Sequence, residues 1–178
     1  MRRVRPLIIV TLLAGLALAS SPATAGTEEL NRRHPPRIAL RYRGEVVQRA
    51  APYTYCWAYE YPDGSGIGTC ADGFPRYPKA VTVKSNARLA IRIRYPARPH
   101  RWFVHSYRAV ASEGGYTSPI GDGERIPFRL RPHRLRGEIT AWDVVFSVDE
   151  PLRHYYLDTG GDLAQGDVFY ALHVRTSL

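Results

Sequence analysis

The chain is short of several things, and each shortage removes a class of protein. It has only two cysteines in 178 residues, Cys56 and Cys70. With no histidine nearby, they do not complete a tetrahedral metal set. After Ala19 no apolar run approaches the roughly 20 residues that a membrane-crossing helix needs. Beyond the first 25 residues no window carries apolar side chains at helical spacing. There is no Gly-x-Ser-x-Gly elbow and no His-Glu-x-x-His pair, so two common hydrolase signatures are missing. The glycine-rich stretch Gly64-Ser65-Gly66-Ile67-Gly68 lacks the strand-to-helix setting of a phosphate loop. Lysine is scarce too: Lys79 and Lys84 stand against 23 arginines.

The first residues are informative. Arg2, Arg3 and Arg5 precede an apolar stretch, Leu7 to Ala19, that Pro22 ends, and Ala23-Thr24-Ala25 follows. A basic, then apolar, then small-residue order is that of a secretory signal, with cleavage expected before Gly26. The 13 apolar residues are too few to anchor the chain across a bilayer. Residues 1–25 are therefore read as a signal peptide, 26–36 as a polar flexible leader ending in Pro35-Pro36, and 37–178 as one domain. An exported chain with an even pair of cysteines points to a Cys56–Cys70 disulfide.

The formal net charge is +9, and loss of the signal's three arginines leaves +6. Residues 26–110 hold 15 Lys/Arg against 6 Asp/Glu, whereas 111–178 hold 7 against 10. GC-rich codon usage accounts for arginine over lysine. An anionic partner is the functional reading of the same excess.

From Arg37 onward the hydrophobic pattern has period two. Ile38, Leu40 and Tyr42 alternate with arginines, as do Leu89, Ile91 and Ile93, and again Ile126, Phe128 and Leu130. Trp142 to Val148 and Val168 to Val174 alternate likewise, and Val81–Val83 and Trp102–Val110 add further strands. Punctuation is expected at Pro62-Asp63-Gly64, Pro75–Pro78, Pro96–Pro99, Gly114-Gly115, Pro119–Gly123, Pro132 and Gly160-Gly161. The pattern predicts an all-β fold: a single antiparallel β-sandwich, immunoglobulin-like in general form, with one disulfide-stapled hairpin. Apolar residues turned inward would leave Arg37, Arg41, Arg43, Arg88, Arg92, Arg94, Arg129 and Arg131 facing water. A basic sheet without interleaved aromatics suits a polyanion better than single-stranded nucleic acid.

One segment departs from this plain alternation. Tyr53, Tyr55, Trp57, Tyr59 and Tyr61 occupy every odd position, so a strand puts five rings on one side. A three-residue turn at Pro62-Asp63-Gly64 would pair Tyr59 with Ile67, Trp57 with Thr69 and Cys56 with Cys70. The face opposite the rings holds little bulk. The rings are therefore expected to face inward and the disulfide outward, with Tyr53 or Tyr61 wet at the ends. An exposed platform for sugar rings is the competing reading.

Catalytic constellations are thin. Asp158-Thr159-Gly160 matches the aspartic-protease triplet, but that chemistry needs a second carboxylate and no second triplet exists. Asp158, Asp162 and Asp167 could supply oxygen ligands to calcium, although a hairpin turn explains them better. Six scattered histidines form no local motif.

Tyr55-Cys56-Trp57, Gly68-Thr69-Cys70-Ala71-Asp72-Gly73 and the closing Gly166-Asp167-Val168-Phe169-Tyr170-Ala171-Leu172-His173-Val174 resemble a pattern in small secreted, lipoprotein-like proteins of high-GC Gram-positive bacteria. The resemblance implies export and a β-sandwich, and it brings no active site. The lipidated cysteine of that group has no counterpart here.

The sequence thus predicts a secreted, non-catalytic protein, extracellular or cell-wall associated, binding an anionic or carbohydrate cell-surface component such as a wall polymer. The alternatives are a secreted inhibitor or interaction module presenting residues 112–124, and a hydrolase with a nonlocal site. No cofactor or metal is expected. Candidate binding residues are Tyr53, Trp57 and Tyr61 of the stripe and Arg41, Arg92 and Arg94 of the arginine rows.

Overall fold

The alternating segments become fourteen strands, numbered along the chain, in a computed structural model that describes residues 32–113 and 116–178. The expected signal peptide and residues 26–31 of the leader lie outside the described residues. A five-stranded sheet runs in the order β11 (Phe128–Leu135), β12 (Glu138–Val148), β6 (Ala87–Ile93), β1 (Ile38–Tyr42), β2 (Glu45–Ala50). The facing sheet runs β10 (Glu124–Arg125), β7 (His100–Tyr107), β13 (His154–Leu163), β14 (Gly166–Ser177), β3 (Thr54–Glu60), β4 (Gly66–Ala71). β5 (Val81–Lys84) adds to β14 in parallel, the one parallel pairing among the described residues. A separate hairpin joins β8 (Ala109–Glu113) to β9 (Tyr116–Ile120).

The core forms where the two inner faces meet. Ile38, Leu40, Leu89, Ile91, Ile93, Val144 and Phe146 from one sheet pack on Trp57, Val104, Leu157, Val168, Tyr170 and Leu172 from the other. Period-two burial along β6 places Ala87, Leu89, Ile91 and Ile93 inside and Arg88 and Arg92 outside.

The stapled hairpin has the expected register. Cys56 lies opposite Cys70, Trp57 opposite Thr69 and Tyr59 opposite Ile67. The turn is closed by Tyr61 N–H to the Ser65 carbonyl at 2.7 Å, with Gly64 at φ 82°. Ser65 donates from both its N–H and its hydroxyl to the Asp63 carboxylate, which holds that carboxyl below its ordinary range. Counting by twos from this hydrogen-bonded pair makes Cys56–Cys70 a non-hydrogen-bonded position, where strands approach most closely. The Cα atoms there are 4.0 Å apart and the disulfide is formed.

Three expected breaks fall within strands, Pro119 in β9 opposite Val110 among them. Pro132 sits within β11, opposite Trp142. It is tolerated because β11 is an edge strand and its outer side asks for no ladder donor. Gly160-Gly161 sits within β13, where the register against β7 shifts. A side chain at Gly160 would meet the Val168 carbonyl at 2.3 Å, so the residue serves close packing rather than a turn.

The leader is tied down from Arg32 onward. The Trp57 indole N–H donates to the Arg32 carbonyl at 2.7 Å, and the Tyr170 hydroxyl donates to the Pro36 carbonyl at 2.6 Å.

Candidate anion-binding face

Strand register decides which arginines share a surface. On the outer face of the five-stranded sheet, Arg131, Asp143, Arg92, Ala39 and Arg49 lie in one row across the strands. The next row runs Arg129, Val145, Ala90, Arg41 and Val46, and Arg88 follows opposite Ser147. Lys84 at the end of β5 and Arg43 in the β1–β2 turn reach the same hollow. Its one lining carboxylate is Asp143.

These cations are not equivalent. Arg92 is committed: Nε and Nη2 each donate to an Asp143 carboxylate oxygen at 2.8 Å, and Nη1 lies 3.4 Å from His133 Nε2. Its charge is thereby cancelled within the sheet. Arg41 is partly committed, because Nη2 donates to the Gly44 carbonyl and closes the β1–β2 turn. Arg94 is exposed just past the end of β6. Arg88, Arg129 and Arg131 are exposed and have no hydrogen bond or ion pair among the described residues. They carry most of the uncompensated charge.

The arginine face runs around the sandwich edge into a cleft of about 570 Å³, which Arg88 and Arg131 also line. The edge exists because the chain crosses from β10 to β11 at Ile126-Pro127, leaving the two terminal strands side by side. Ser106 of β7 and Tyr155 of β13 line the cleft's inner end. Beside them the Arg153 guanidinium lies over the Tyr155 ring at 4.5 Å. Arg153 Nη2 donates to Glu124 at 3.1 Å and Nη1 to Glu150. Two polar atoms here are buried without a partner among the described residues: Ser106 Oγ, on a residue 2% exposed, and Arg153 Nε. An unpaired buried polar group costs about 1–3 kcal/mol, so two on residues lining one cleft mark a departure from good packing.

The stripe residues separate. Trp57 is 3% exposed, in the core, and offers no surface to a ligand, because β3 lays its indole between the sheets and the leader covers the N–H. Tyr55 packs partly against the same core. β14 pairs with β3 only along Thr54–Trp57, so the hairpin end stands beyond the sandwich. There Tyr61 is 37% exposed, edge-on to Tyr59 at 5.0 Å.

Tyr53 has another setting. Its phenol neighbours the carboxylate of Asp158 on the outer face of the second sheet. Tyr77, from the segment 72–80 that crosses this face, donates to Asp158 Oδ1 at 2.8 Å. Burial pushes the Asp158 carboxyl up, while the two phenols and neighbouring His105 oppose the rise. Tyr53 and Tyr77 are themselves pushed well up by burial and by the carboxylate.

The triplet that resembled a protease site is used structurally. Asp158 anchors the crossing segment, and Thr159 accepts from the Trp102 indole at 2.9 Å while donating to the Phe103 carbonyl at 2.8 Å. Asp162 lies opposite Asp167 across the β13–β14 ladder, whereas Asp158 is about 13 Å further along the strand. The three carboxylates do not converge. No cluster of metal-ligating side chains occurs among the described residues.

Sequence reasoning missed the Ser106–Arg153 cleft and the Asp158 anchor. Ser106 had no local signal. Arg153, in Leu152-Arg153-His154, is ordinary until the fold brings Glu124 to it. No family model matches the chain, and neither does any curated protein or solved structure.

Proposed function

We propose that this is a secreted binding protein, exported by the signal at 1–25, whose arginine face holds an anionic polymer of the cell surface. The observation that carries the reading is the juxtaposition of Arg88, Arg129 and Arg131 on one sheet face without carboxylate partners. Three unpaired cations in successive rows, about 7 Å apart along the strands, suit a repeating anion better than a single small one. The disulfide fits an oxidising compartment, and no helix of the described residues is long and apolar enough to cross a membrane. The scaffold is immunoglobulin-like in general form. It is akin to the small secreted proteins of high-GC Gram-positive bacteria whose Cys-Trp and Cys-Ala-Asp-Gly pattern it shares.

The test is co-sedimentation of the purified protein with isolated cell-wall material across a salt series. Retention should fall steeply as salt rises, because the contacts are exposed and screened. Joint substitution Arg129→Ala with Arg131→Ala should abolish most of it. Salt-independent retention, or full retention by the double variant, would refute the assignment.

A further inference from the structure

We propose that the cleft between β10 and β11 is a subsite for a phosphate-type group, seated between Ser106 and the arginines at its mouth. The inference deepens the polymer-binding reading and rests on it for the polymer's identity, though not for the subsite itself.

Charge is the first argument. Five arginines line the cleft against two carboxylates, Glu124 and Asp149, so the lining keeps an excess of positive charge suited to a dianion. The second argument is the pair of orphan donors. Ser106 Oγ and Arg153 Nε lie buried at the inner end with no acceptor among the described residues. An oxyanion supplies acceptors to both. Shape is the third. The donors sit at the inner end, while Arg129 and Arg131 stand at the mouth on the outer sheet face. A tetrahedral phosphate points oxygens both ways at once, and a planar carboxylate does not.

Glu124 is the competitor for this position. Its carboxylate holds Arg153 Nη2 at 3.1 Å, is 62% exposed, and belongs to a two-residue strand at the sheet edge. An entering phosphate replaces it on Arg153, and Glu124 swings into solvent. Glu150 stays on Nη1 and keeps the guanidinium in place.

The experiment is calorimetric titration of the purified protein at low salt with inorganic phosphate, methyl phosphate and acetate. One saturable phosphate site is expected, with acetate much weaker. Arg129→Ala and Ser106→Ala should each weaken phosphate about tenfold or more, because each removes a charge-assisted hydrogen bond to the anion. Glu124→Gln should tighten it. This gain cannot come from damage to the fold. Methyl phosphate binding as well as inorganic phosphate identifies a polymer end group as the source, and binding of inorganic phosphate alone identifies the free ion. Equal affinity for acetate, or affinities unmoved by all three substitutions, overturns the proposal. Failure here with intact wall retention leaves the polymer reading standing. Saturable phosphate binding without wall retention does the reverse.

Discussion

The Tyr77 hydroxyl donates to Asp158 Oδ1 at 2.8 Å, joining positions 81 residues apart and fixing the crossing segment 72–80 onto the second sheet. The carboxylate is 8% exposed, and its pKa is raised because burial outweighs its hydrogen bonds. A carboxyl whose folded pKa lies above its unfolded value favours folding most at pH below the unfolded value. That contribution is lost as pH rises through the folded pKa. Asp158→Asn should therefore flatten the stability curve above about pH 4, the ordinary carboxylate range. Urea denaturation at several pH values measures it. An unchanged slope would show that the carboxylate is solvated.

Ser106→Ala should leave the midpoint of thermal unfolding unchanged or raise it. The hydroxyl is buried and unpaired, so removing it costs no hydrogen bond. A loss above about 1 kcal/mol would mean that the hydroxyl has a partner.

Removing the disulfide should cost about 3 kcal/mol, the loop-entropy value for a closed loop of this length. Comparison of Cys56→Ala/Cys70→Ala with the parent in denaturant reads this out. Wall retention should survive, since the hairpin and the arginine face belong to different sheets.

Arg92 and Arg129 should behave oppositely. Arg92→Ala strands a part-buried Asp143 and should destabilise by about 1–2 kcal/mol with modest effect on retention. Arg129→Ala should shift stability by less than about 0.5 kcal/mol while reducing retention. Measuring both quantities on both variants separates structural from ligand-facing arginines.

Trp57→Ala should cost about 3–5 kcal/mol, as a core truncation. Tyr61→Ala is the substitution that tests the exposed end of the stripe.

Legibility from sequence followed periodicity. Strands such as β6 and β12 announced themselves because a buried apolar residue recurs at every second position, Leu89, Ile91 and Ile93 in one and Trp142, Val144, Phe146 and Val148 in the other. The stapled hairpin was readable to the residue because a Pro-Asp-Gly turn fixes the register and the cysteines verify it. β2 was not legible, since Glu45-Val46-Val47-Gln48 lacks alternation and a register shift opposite Leu40/Arg41 breaks it. A signal for it did exist. Arg41-Tyr42-Arg43-Gly44 and Arg134-Leu135-Arg136-Gly137 are the same motif. In each, Arg and Gly take positive φ in a two-residue turn, and the first arginine donates to the glycine carbonyl. The cleft was hidden because Ser106, Glu124 and Arg153 meet only through sheet order, which periodicity does not encode.

The scarcity of lysine bears on how the molecule can be handled. Side-chain amines occur only at Lys79 and Lys84, and Lys84 lines the arginine-rich hollow. Coupling through Lys84 to a sensor chip would turn that hollow toward the support and mask it. Acylating reagents would leave the arginines themselves untouched, because a guanidinium stays protonated across the working pH range.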